Sequence, residues 1–92
     1  MNLSHIVARI WDYDFDGTIY AIEPWTEDAS AIVATEPEVG GLPYEAVEAG
    51  MKYFLEVSVV KEFIEDWVTS LGYEPGASAA CNRLIQYAKS DA

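Results

Sequence analysis

Ninety-two residues suffice for one domain with a single hydrophobic core. Hydrophobic residues make up 51% of the chain and aromatics 13%, including Trp11, Trp25 and Trp67, which excludes a disordered acidic tail. Sixteen Asp and Glu face five Lys and Arg, a formal net charge of -11; this balance disfavours direct binding to nucleic acid or to an anionic membrane, because both draw on clustered cations.

Residues 5–15 carry large apolar side chains and end at Asp16-Gly17, and a second apolar-rich run follows over 18–23. Asp-Gly between such runs is a strong hairpin signal. With Asp16 and Gly17 as loop residues, Phe15 pairs with Thr18, Tyr13 with Tyr20 and Trp11 with Ile22, so the large side chains share one face. The short apolar run at 30–35 supplies a further strand. Gly40-Gly41-Leu42-Pro43 then marks a linker turn, after which the pattern becomes helical.

A helix is predicted over about 43–56, opening at Pro43 and presenting Tyr44, Val47, Met51, Phe54 and Leu55 inward, with Gly50 as its weak point. The next, over about 58–71, is the most strongly patterned: Val60, Phe63, Ile64, Trp67, Val68 and Leu71 share one face, Ser58 is placed as N-cap and Gly72 as the terminating residue. A third helix, about 77–89, buries Ala77, Cys81, Leu84, Ile85 and Ala88. The expected architecture is therefore α+β: one acidic domain over 1–92, with an N-terminal antiparallel hairpin or small sheet packed on three helices.

The segment Asp12–Glu23 also fits the spacing D-x-D-x-D-G-x5-E and so resembles an EF-hand calcium loop. The resemblance implies calcium held by Asp12, Asp14, Asp16, the Thr18 carbonyl and a bidentate Glu23. Phe15 and Tyr20 occupy positions that the family keeps small or polar, and Pro24 falls where its exit helix begins. Leu3, Ile6, Val7, Ile10 and Trp11 are nevertheless spaced to form an entering helix. The aromatic pairing favours the hairpin. Asp14-Phe15-Asp16-Gly17-Thr18 further resembles the D-x-D-G-T signature of haloacid-dehalogenase-type phosphatases, which would make Asp14 a nucleophile and Asp16 a general acid. That family needs a doubly wound parallel sheet for its later motifs, and the chain is too short to supply one.

Other chemistry finds little support. His5, near the N-terminus, is the only histidine and Cys81 the only cysteine, so a nucleophile–histidine arrangement is hard to build and one thiol makes no cysteine metal site. His5 reads as a surface residue and Cys81 as a small buried hydrophobe. No apolar run approaches the ~20 residues of a membrane span, and residues 1–11 lack the basic start and apolar stretch of a secretory signal. A cytoplasmic, non-enzymatic protein without a resident cofactor is expected.

The acidity itself then becomes the candidate function. In a hairpin, Asp12, Asp14 and Asp16 lie on one face at intervals of about 6.6 to 6.8 Å. Glu23, Glu27 and Asp28 extend the charge, and Glu62, Glu65 and Asp66 line the outer side of the strongest helix. In size, charge and spread of acids the chain is similar to the nucleic-acid-mimicking inhibitors of phages and mobile elements, the anti-CRISPR and anti-restriction proteins. The resemblance implies a basic, nucleic-acid-handling protein as partner, with Trp25 and Tyr44 as aromatic anchors of the contact. Calcium binding at Asp12–Glu23 and the general acidity of a salt-adapted host are the competing readings, and a homodimer through the aromatic hairpin face is left open.

Overall fold

The computed structural model describes residues 1–91. An α+β arrangement is found: a three-stranded antiparallel sheet, order β2-β1-β3, with four α-helices. The strands are β1 (Gly17–Ala21), β2 (Ala31–Thr35) and β3 (Lys52–Glu56). The helices are α1 (Leu3–Ala8), α2 (Tyr44–Ala49), α3 (Val57–Leu71) and α4 (Ala77–Asp91).

The chain opens as a helix and not as the strand expected over 5–15. Asn2 caps it, its Oδ1 accepting the His5 N–H at 2.9 Å, and Leu3, Ile6 and Val7 are buried on one side. A 3-10 turn over Ile10–Asp12 continues the same spacing and buries Ile10. Spacing of three and four residues outweighs aromatic content here, because a strand would turn alternate members of this apolar set to solvent.

Asp16-Gly17 is accordingly no hairpin loop. A two-residue turn of that type needs positive φ, and neither residue has it. Gly17 instead begins β1, where a Cβ would lie 2.9 Å from Val33 Cγ1 and 3.2 Å from Val57 Cγ2. The glycine leaves room for the Val33 side chain of the neighbouring strand β2 and for Val57 at the start of α3. None of the pairs Phe15–Thr18, Tyr13–Tyr20 and Trp11–Ile22 forms, and the aromatic hairpin face that would have seated a second copy does not exist. The real partners of β1 are remote: Thr18 faces Ala34 and Glu56, Tyr20 faces Ile32 and Tyr53.

The helix predicted over 43–56 divides. Gly50, at φ 72°, ends α2, and the remainder becomes edge strand β3. Of the predicted inner stripe, Tyr44 and Val47 are 73% and 60% exposed, and Ala46 is the residue that α2 buries. Phe54 and Leu55 do face the core, but through a bulge opposite Ile19 and Tyr20 that turns two consecutive side chains the same way.

Helices α3 and α4 agree closely with their periodicity. Gly72 adopts the left-handed conformation and its N–H bonds the Val68 carbonyl at 2.9 Å; Ser58 lies inside α3, which begins one residue earlier. Along α4, Ala80, Cys81, Leu84, Ile85 and Ala88 are buried, while Ala77 stays exposed.

The main core lies between one sheet face, contributing Ile19, Ala21, Ala31, Phe54 and Leu55, and the helices α1, α3 and α4. A smaller core of Tyr20, Ala46 and Met51 fills the other face beneath α2. Helix α1 packs against α4, and the 3-10 turn over Ile10–Asp12 packs on α3, so the residues over 12–16 lead into β1 beside α3.

Candidate functional site

Every acidic side chain described is exposed except half-buried Glu27. Carboxylates of an isolated acidic surface repel one another, so their display depends on a backbone that holds them in place. At the Asp12–Asp16 turn that support is a buried cation. Lys61, on α3, is only 7% exposed. Its Nζ donates to the Tyr13 carbonyl and sits 4.3 Å from the centroid of the Phe15 ring and 5.9 Å from that of Trp11. An ammonium withdrawn from water needs such partners, since its desolvation otherwise opposes folding. The outer parts of both rings remain open, with Trp11 54% and Phe15 62% exposed.

The aspartates of this turn are brought together, but not as a strand face. Asp12 ends the 3-10 turn, and Asp14 contributes its carbonyl to the Gly17 N–H at 3.1 Å. All three side chains are exposed. The regular strand-spaced row is thus replaced by a compact turn. Asp12 accepts from Arg9 Nε at 3.4 Å, the one ion pair among the described residues, and one exposed enough to be weak.

The calcium-loop geometry is not formed. Thr18 belongs to the central strand and is buried, and Glu23 lies beyond the opposite end of β1. At about 3.3 Å per residue the strand separates Glu23 from the three aspartates by well over the reach of one coordination sphere. No group of three or more His, Cys, Asp or Glu side chains among the described residues is placed to share a metal ion.

The sheet register assembles a second acidic feature. Pairing of Gly17 with Thr35 and of Thr18 with Glu56 puts Asp16, Glu36 and Glu56 around one cleft of about 340 Å³, with Phe15 forming part of its wall. Glu36 and Glu56 carried no signal in the sequence as site residues, because only register brings them beside Asp16. The same holds for Lys61, which reads as one polar position within an amphipathic helix.

The other predicted residues are dispersed. Glu62, Glu65 and Asp66 lie exposed along α3. Glu23 and Asp28 are exposed at the far end of β1, whereas Glu27 serves the fold. Its carboxylate accepts from Asn82 at 3.0 Å, its backbone carbonyl accepts from the Ser4 N–H, and hydrogen bonds from Ser78 first and Asn82 second hold its carboxyl below the usual range. Trp25 packs edge-on against Phe54 at 5.0 Å, committing its ring to the core. Tyr44 is open to solvent and donates to Glu48 at 2.8 Å, a bond to a carboxylate that, with a smaller effect of burial, raises its phenol above the ordinary value.

His5 is exposed, and Cys81 is a free thiol with no accessible surface, pushed up to about 11 by burial first and by Glu27 second. No described helix is long and apolar enough to cross a membrane. No protein-family model matches the sequence, and no curated protein or solved structure is significantly similar to it.

Proposed function

We propose that this chain is a small cytoplasmic inhibitor that acts by occupancy and not by catalysis. It fills a basic nucleic-acid-binding surface of a target protein, presenting carboxylates where phosphates would lie. This is the strategy of the phage-encoded inhibitors that it is similar to in size and charge. One observation carries the reading: the exposed carboxylates are almost wholly uncompensated, with Arg9–Asp12 their one ion pair among the described residues. A fixed, unneutralised anionic surface speeds encounter with a cationic one and releases the counterions of both. The partner implied is a protein that handles nucleic acid, since the chain's own charge repels nucleic acid and anionic lipid alike.

The test is capture of basic nucleic-acid-binding proteins at low salt, with DNA or RNA as competitor. Binding should weaken steeply with ionic strength, and reversal of Asp12, Asp14 and Asp16 to lysine should reduce it. Association indifferent to salt would exclude charge mimicry.

A further inference from the structure

We propose that Trp11 and Phe15 form the contact ridge of the acidic turn and take arginine side chains of the basic partner by stacking. This inference deepens the charge-mimicry reading and rests on it. Two large aromatic rings, 54% and 62% exposed, flank Asp12 and Asp14 in the turn that leads into β1. Exposed aromatics occur singly on many surfaces. These two differ in being held from beneath by one buried cation, Lys61, whose ammonium lies 4.3 Å from the Phe15 centroid and 5.9 Å from that of Trp11. The inner side of the ridge therefore already carries a cation, and the outer side presents the same rings to solvent among exposed carboxylates, of which Asp12 is paired, weakly, with Arg9.

Charge complementarity selects the occupant. The field of Asp12, Asp14 and Asp16 favours a cationic side chain, and an aromatic face favours a guanidinium, which is planar, weakly hydrated and able to stack while its edge bonds a carboxylate. A lysine ammonium gains from the charge but less from the rings. Lys61 acts as a positioning residue: its bond to the Tyr13 carbonyl fixes the backbone between the two rings.

The experiment measures binding of a labelled oligo-arginine peptide and an oligo-lysine peptide of equal length at low ionic strength. The full chain is compared with a Trp11→Leu, Phe15→Leu double variant, which keeps the net charge. The parent chain should bind the arginine peptide more tightly, by roughly two-fold for each ring engaged, and the variant should bind both peptides with the same affinity. Should the double variant unfold, Trp11→Leu alone, which leaves the Phe15–Lys61 contact in place, is judged by the same ratio and should lose part of the arginine preference. Equal binding of both peptides by the parent chain, or an arginine preference surviving the ring substitutions, overturns the ridge and leaves the charge reading intact. Failure of the parent chain to bind either peptide overturns the charge reading itself, and the ridge with it.

Discussion

Lys61 Nζ donates its hydrogen bond to the backbone carbonyl of Tyr13, forty-eight residues earlier in the chain. A buried cation thus stabilises an acidic turn through its backbone, while the acidic side chains around it stay exposed to solvent or a partner, Asp12 with a weak ion pair to Arg9.

Replacing that lysine by methionine keeps most of its length but leaves the Tyr13 carbonyl without its donor. Because hydrogen bonds to charged groups contribute about 1.5–3 kcal/mol and relief of the buried charge offsets part of that, Lys61→Met should destabilise by about 1–2 kcal/mol. Urea unfolding measures the loss, and limited proteolysis should show faster cleavage over 11–16. A variant as stable as the parent would remove Lys61 from its anchoring role.

Gly17→Ala should also destabilise, by about 1–3 kcal/mol, because the added methyl would meet Val33 Cγ1 at 2.9 Å, Val57 Cγ2 at 3.2 Å and the Asp14 carbonyl at 3.3 Å. Combining it with Val33→Ala opens the tightest contact and should recover part of the loss. A hairpin turn at this position would show no such rescue, so the thermal midpoints of the two variants separate the explanations.

Stability should fall in alkali through two buried groups. Burial raises the Cys81 thiol from 9.0 to about 11, and raises the Tyr20 phenol above 10.0, where Glu36 adds to the rise and Thr18 opposes it. Both are held in their neutral form, so above the ordinary values the unfolded chain loses these protons first. Unfolding then releases protons and stability declines as pH rises, for Cys81 between 9.0 and about 11. Urea titrations across that range should show the decline, and Cys81→Ala should flatten its first part. The thiol should resist modification in the folded protein and react on unfolding.

Calcium should not stabilise the fold beyond the effect of an equal concentration of magnesium. A true loop site at a hundredfold excess over its dissociation constant would add about 2.7 kcal/mol. A calcium-specific rise in the unfolding midpoint would show that Asp12, Asp14 and Asp16 bind the ion in a geometry other than the one described.

The two longest helices were legible because their signal is local. Val60, Ile64 and Val68 repeat on one face of α3, as Cys81, Leu84, Ile85 and Ala88 do on α4, and each set needs only an apolar surface to pack against. The strands at Gly17–Ala21 and Ala31–Thr35 were legible as apolar segments, but their pairing was not. Residues 52–56 fit a helical stripe as readily as a strand, and their fate depended on whether β1 had a free edge to offer.

Of the acidic turn, the sequence by itself determined the carboxylates, their number and their exposure, since a chain with sixteen acids and five Lys and Arg has too few cations with which to bury them. Only the tertiary structure decided what stands between them. It placed Lys61 beneath Trp11 and Phe15, and it gathered Glu36 and Glu56 beside Asp16. The reason is physical: charge and helix periodicity are written in neighbouring residues, whereas a buried cation and a sheet register join residues that only folding makes neighbours.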